Sequence, residues 1–413
     1  MDRQPTFGKY SPFSPDQVDN PFPVLAEARA TAPVFFSEEL GMWVVTRYAD
    51  VRYIYENPEI FSSSAVLSSR TDLPEAIVAE FGDWRPPLDK EVVMTDPPRH
   101  TRLKRLMMRA FTPGRILKFE PWIREIAEGL LDGLEGVDEC DIVERYTAPL
   151  PPLIIGRLMG VPAEDALKFG KWVGNIVVLA GTWQLSEEET IYCWRGIREF
   201  EEYVQGLIAE RRKNLGEDVV SYLIDAKGDE GEAALDDEEL VHNVCNIAGA
   251  GADTTGQWLA TTLYCLLSGD REWDRVANNR ALVPAALEES LRYRGVVRSL
   301  VRKVNQDVTL GTVQIPAGDF VLFNLASANR DGAAISDPDT FDIDRKNVRG
   351  HIAFGHGAHT CLGASLARLE AKVAIESLMN RFPNLQLASG QGDLKYQDNL
   401  MIPGVKSLRV KLR

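Results

Sequence analysis

Cysteine is scarce and unpaired in this chain. Its 413 residues hold five, at positions 140, 193, 245, 265 and 361, an odd number at irregular spacings. That excludes a disulfide scaffold and suits a reducing compartment, so a cytoplasmic location is expected. Long apolar runs are missing as well. The most hydrophobic stretches, 149–161 and 173–180, are short and broken by Pro, Gly, Arg or Asn. A bilayer-spanning helix needs roughly 20 apolar residues, so no membrane partner is expected. The N-terminus shows no basic start followed by an apolar core. Positive charge is in deficit, with a net of −15, which argues against nucleic acid or an anionic membrane as the main partner. No repeat, low-complexity tract or Gly/Ser/Pro-rich linker divides the chain, and a single domain over 1–413 is expected. A dinucleotide fingerprint is absent too: after Gly249 and Gly251 the third glycine would stand at 254, which is threonine.

What is present is mostly helical patterning. Apolar periodicity predicts helices over roughly 20–31, 47–56, 97–110, 114–134, 143–159, 187–213, 217–227, 236–267, 281–294 and 362–382. Strand-like pieces are fewer: 34–36, 42–46, 300–304, 308–311 and 320–323. They predict one small sheet near the N-terminus and another in the C-terminal half. Residues 62–93 read as a long functional loop.

The most informative thiol is Cys361, which a glycine-punctuated stretch from His351 delivers to the start of a helix. Unpaired N–H groups and the macrodipole at a helix start favour an anion, so the thiol is expected to ionise easily. Four readings of it stand: a buried structural cysteine, a zinc site with His356 and His359, a catalytic nucleophile, and a thiolate ligand to haem iron. Glycines 355, 357 and 363 fit the last, because a flat macrocycle needs close backbone approach.

Two further patterns bear on the choice. Ala248-Gly-Ala250-Gly251-Ala-Asp253-Thr254-Thr255 places small residues in the middle of a long apolar helix. Each glycine there costs about 1 kcal/mol against alanine, which makes sense if a flat group, or simply another helix, lies against it. The Thr254 hydroxyl can donate to a helical carbonyl or a ligand, and Asp253 can relay protons. The second pattern, Glu289-Ser-Leu-Arg292, sets carboxylate and guanidinium on one helical face at i, i+3.

Together these pieces resemble the cytochrome P450 family, specifically its soluble bacterial members. Residues 354–363 match the family's signature Phe-Gly-x-Gly-x-His-x-Cys-x-Gly. Residues 250–255 look like its oxygen-activating motif, and Glu289–Arg292 like its Glu-x-x-Arg. The resemblance runs from about residue 20 to the C-terminus and implies a triangular, mainly α fold with small β-sheets and non-covalent haem b. It makes Cys361 the iron ligand, and Asp253 with Thr254 the catalytic acid–alcohol pair. His100, Lys104, Arg302 and His359 would meet the haem propionates, with Phe354, Gly355, Ala250 and Gly251 also against the haem. Lys104 stands where relatives usually carry arginine. Glu289, Arg292 and Arg345 would brace the cysteine loop.

The chemistry implied is hydroxylation or O-dealkylation of a small to medium hydrophobic, perhaps aromatic, substrate with dioxygen. Two electrons would come from a separate ferredoxin or flavin protein, since no fused reductase is expected. Docking is expected on a basic proximal face carrying Arg102, Lys104, Arg105 and Arg109. The alternatives are a peroxide-driven peroxygenase and a non-enzymatic haem carrier or sensor. By family position, the pocket would draw on Asn243, Ile247, Val296, Val297 and Leu400, with Asn246, Phe81 and Trp84 nearby.

Overall fold

The computed structural model describes residues 3–65, 75–87, 90–181, 185–228, 233–269 and 271–412. Two helices set end to end, Asp237–Ala252 and Thr254–Ser268, run through the largest hydrophobic cluster. The first starts cleanly because Asp236 and Glu239 form a reciprocal capping box, with Asp237, Glu238 and Glu239 in the first turn. In the second, every residue from Thr255 to Leu266 is buried, so neighbouring elements cover it on all sides. The sequence predicted one helix here. The break falls at Asp253, whose φ of −114° and ψ of −46° depart from helical values.

Other predicted helices are also split, and proline explains two of them. The 114–134 segment divides at Phe119 into Pro113–Lys118 and Glu120–Asp132, with Pro121 opening the second piece. The 143–159 segment begins as a π-turn, Val143–Thr147, and restarts beyond Pro149 as Leu150–Leu158. Helix Ala166–Gly181 went unpredicted, because its glycines and β-branched residues read poorly as a helix.

The strands correct a second expectation. The N-terminal hairpin Val34–Ser37 and Met42–Val45 is not a sheet of its own. Met42–Val45 pairs in parallel with Phe320–Asn324, in register Trp43↔Val321. Ser299–Val304 and then Phe61–Ser62 complete one five-stranded sheet. Arg302 thereby lies in an inner strand of the sheet, opposite Val321 of the central strand. No helix among the described residues is long and apolar enough to cross a membrane.

Candidate functional site

Cys361 sits between a tight loop and the helix Ala364–Arg381. Its N–H donates to the Phe354 carbonyl at 2.8 Å, closing the loop on itself. Gly355 and Gly357 are required by backbone geometry, with φ of +76° and +63°. A Cβ on Gly355 would also lie 2.9 Å from the His359 carbonyl oxygen. Turn conformation, rather than clearance for a macrocycle, accounts for these two glycines. The Phe354 ring packs edge-on to Trp258 at 5.7 Å, and the Arg368 guanidinium lies 4.4 Å from its centroid. The loop is thus seated on the central helix.

Three of the five cysteines are buried and Cys140 is half-buried; Cys361 alone is exposed. The residue as a whole is exposed, yet neighbouring atoms crowd its thiol. That crowding raises the thiol's pKa above its ordinary value, against the N–H groups of Gly363 and Ala364 and the positive charges of Lys104 and Arg368. In the chain by itself, desolvation opposes the ionisation that the helix start favours. The zinc reading loses its ligands. His356 bonds Glu56 at 2.9 Å, His359 bonds Ser63 Oγ at 2.9 Å, and no metal-holding group of His, Cys, Asp or Glu occurs among the described residues.

Beside the loop lies a cluster of donors. His100, on helix Arg99–Met108, stacks on His359 with ring centroids 4.0 Å apart. Arg302 is buried near the rings of Tyr55 and Phe323, and its one hydrogen bond among the described residues goes to the Val301 carbonyl at 3.0 Å. Nδ1 of His100 is buried with no partner. Burial, then Lys104 and Arg302, push His100 down to about 4 against the opposing charge of Asp96. Burial, then Arg302, His100 and Lys104, push His359 down to about 2. No described carboxylate forms an ion pair with Arg302, so the cluster has the donors and positive charge to take carboxylates that the chain does not supply. The two propionates of haem fit that requirement. Lys104 is placed differently from the expectation, since its ammonium is held by the carbonyls of Ala358 and Thr360 (2.9 Å for Thr360) and clamps the cysteine loop.

Asp253 stands at the helix break. Burial raises its carboxyl pKa, and a hydrogen bond from Gln257 Nε2 at 3.0 Å partly offsets this. Thr254 Oγ1 donates to the Ala250 carbonyl at 2.9 Å. Ala250 is exposed, whereas Gly251 faces a neighbouring helix: a Cβ there would lie 2.6 Å from Ile155 Cδ1. Helix packing therefore explains Gly251, and likewise Gly249 against Ile176. Sequence reasoning missed Gly256, where a Cβ would fall 2.4 Å from the Thr147 carbonyl oxygen of the π-turn. It also missed Glu370, which burial raises to about 8 despite a bond with Thr255.

Glu289 and Arg292 form a buried, two-bond pair at 2.7 and 2.8 Å. Arg292 also holds the carbonyls of Asn329, Pro338 and Thr340, and Arg345 meets both Glu289 oxygens at 3.1 Å. Breaking one partner of such a network costs about 3–5 kcal/mol. A second brace escaped the sequence reading. Glu288, one residue earlier, accepts from Arg368 at 2.5 and 2.9 Å and sits 3.0 Å from His351 Nε2. Burial alone would raise its pKa, but Arg368 and His351 prevail and draw it to about 2. This brace ties both ends of the cysteine loop to helix Val283–Arg294.

The expected pocket residues do not gather into one cluster. Ile247 and Val296 join the main core, Val297 the sheet core, and Leu400 the N-terminal cluster. Asn243 is removed from the pocket: it is fully buried, accepts from Val92 N–H at 2.9 Å and donates to the carbonyls of Lys90 and Glu239. Asn246 likewise bonds Glu91 at 2.9 Å. Phe81 and Trp84 pack with Trp194 in a satellite cluster. Within the expected functional loop, residues 66–74 and 88–89 lie outside the described residues. On the expected docking face, Arg102 turns inward to buried Glu239. A shallow depression of about 540 Å³ beside it is lined by Lys104, Arg105, Met108, Arg109 and Ala358.

A family model described as Cytochrome P450 matches residues 54–406. Cytochrome P450 107B1 of Saccharopolyspora erythraea is 35% identical over 373 residues, covering 90% of this chain and 89% of its own. Cytochrome P450 monooxygenase PikC of Streptomyces venezuelae is 35% identical over 404 residues, covering 96% and 92%. The crystal structure of CYP109E1 from Bacillus megaterium in complex with testosterone matches at a TM-score of 0.83 and 34% identity, covering 95% of this chain and 99% of that one. A family match over most of the sequence, with relatives this similar along nearly their whole length, shows that the chain belongs to the cytochrome P450 family.

Proposed function

We propose that this oxidoreductase is a haem-thiolate monooxygenase in which Cys361 is the iron's protein ligand and His100, Arg302 and His359 hold the haem propionates. The uncompensated donor cluster carries this reading, because its buried guanidinium and orphaned imidazole nitrogen need carboxylates beside the cysteine loop. Bound haem b supplies an iron that activates dioxygen for insertion into a substrate C–H bond. The chain's own residues divide the remaining work. Cys361 is kept in place by the loop closure to Phe354 and by the Glu288 and Glu289 braces. Asp253, disposed by burial towards its protonated form, gives a proton towards the Thr254 hydroxyl and is recharged from solvent. Thr254, resting on the Ala250 carbonyl, orders that transfer.

Both the acid and the alcohol are present, which favours dioxygen over a peroxide-driven reaction. The substrate is a small to medium hydrophobic molecule that is hydroxylated or O-dealkylated. The testosterone held by a 34%-identical relative supports an apolar ligand. Electrons come from a separate ferredoxin or flavin protein docking on the depression that holds Arg105, Arg109 and Met108, which is 54% exposed and offers an apolar centre within a basic ring. Thr254→Ala tests the assignment. Oxygen consumption should continue while product per oxygen falls; full retention of coupling would remove Thr254 from the reaction.

A further inference from the structure

The carboxyl of Asp253 is held by an unusual agent for a catalytic acid, a neutral amide whose own orientation is fixed from elsewhere. Gln257 is buried one helical turn beyond the break. Its Oε1 accepts from the backbone N–H of Val405 at 2.7 Å. A backbone N–H can only donate, so that atom of Gln257 must be the oxygen and Nε2 must face Asp253. Nε2 donates to Asp253 Oδ1 at 3.0 Å. Oδ1 is thereby committed as an acceptor, and a proton carried by Asp253 resides on Oδ2, to which no described residue bonds.

The other end of the bridge is equally built. Gly404 lets the chain approach, since a Cβ there would lie 3.0 Å from both Gln257 Nε2 and Gln397 Oε1. Gln397 N–H bonds the Gly404 carbonyl at 2.8 Å, and Tyr396 pairs with Val405. The turn between them is pinned to the strand that contains Arg302. Arg298 N–H donates to the Met401 carbonyl at 2.7 Å, and Ser299 Oγ to the Leu400 carbonyl at 2.7 Å. Hydrogen bonds thus tie Arg298 and Ser299 to the turn at Leu400 and Met401, and Val405, farther along the same hairpin, to Gln257 and so to Asp253.

We propose that Gln257 is a positioning residue that dictates which oxygen of Asp253 carries the proton, and that the 396–405 hairpin fixes Gln257 for that task. The proposal rests on the reading of Asp253 as the proton donor. The test needs no identified substrate. Holoprotein supplied with electrons by a ferredoxin and its reductase reduces oxygen either to peroxide, taking two electrons and two protons, or to water, taking four of each. The peroxide released per oxygen consumed therefore reports proton delivery. Gln257→Met should raise that ratio by about two- to tenfold, the scale of one lost hydrogen bond. Asp253→Asn should raise it at least as much, and the double variant no further than Asp253→Asn alone.

A readout independent of turnover is the infrared band of the Asp253 side chain in the resting protein, carboxyl or carboxylate, identified by its loss in Asp253→Asn. It should shift in Gln257→Met, and Gln257→Leu serves if the methionine variant folds poorly. An unmoved band with a wild-type peroxide ratio in Gln257→Met, beside an altered Asp253→Asn, overturns the positioning role alone. Additive effects in the double variant overturn it also. A wild-type ratio in Asp253→Asn instead removes the proton-donor reading underneath.

Discussion

The imidazoles of His100 and His359 lie against each other at a tilt, 4.0 Å between centroids with planes 37° apart, and among the described residues neither ring hydrogen-bonds a carboxylate. Burial first, and then the positive charges of Arg302 and Lys104, disfavour protonation of both rings, which is the direction both pKa values take. Anions at this point would relieve all four groups.

Arg302 is the strongest of these donors, and it is buried. Arg302→Met should therefore speed haem loss to apomyoglobin by about tenfold or more, in keeping with one lost charge-assisted hydrogen bond. Unchanged haem retention would place the propionates elsewhere.

Glu370 offers a stability signature. Its pKa is about 8 in the folded protein against an ordinary 4.5. Between those values the folded state binds more protons than the unfolded one, so this group's contribution falls as pH rises from 4.5 through 8. Glu370→Gln should flatten that slope and stabilise the protein at alkaline pH, by an amount on the order of a few kcal/mol at most. Denaturant midpoints at pH 6 and pH 9 would check it, and an identical pH slope in both proteins would contradict it.

The central helices give a ranking of glycines. A Cβ at Gly256 meets backbone, the Thr147 carbonyl oxygen at 2.4 Å, whereas at Gly251 it meets the movable tip of Ile155. Gly256→Ala should cost about 2 kcal/mol or more and Gly251→Ala clearly less. Melting temperatures in the reverse order would refute the packing argument.

Electron delivery through the Arg105–Arg109 face predicts a reduction rate that falls with salt. Arg105→Glu and Arg109→Glu should each slow reduction and weaken its salt dependence. Unaltered stopped-flow rates in both variants would move the docking site off this helix.

The cysteine loop and the Glu289–Arg292 pair were legible because each has a local spacing, i to i+3 or a run of glycines before one thiol. The break at Asp253 was legible in part: small residues announced a weak helix, but not that Gly251 would pack on Ile155. What escaped was set by partners remote in sequence. Glu288 reads as a surface acid until Arg368 and His351 close on it. The parallel pairing of Met42–Val45 with Phe320–Asn324 joins strands nearly 280 residues apart, taking Trp43↔Val321 as the measure. Asn243 looked like a ligand contact for the same reason, since its partners at 90 and 92 lie far off in the chain.

The central claim is that Cys361 binds haem iron as a thiolate, and the spectrum of the reduced carbon monoxide complex tests it most directly. The account predicts the strongly red-shifted Soret band of thiolate ligation in the wild-type protein and its loss in Cys361→Ala. A haem-loaded wild type without that band, or a Cys361→Ala variant that keeps it, would contradict the claim.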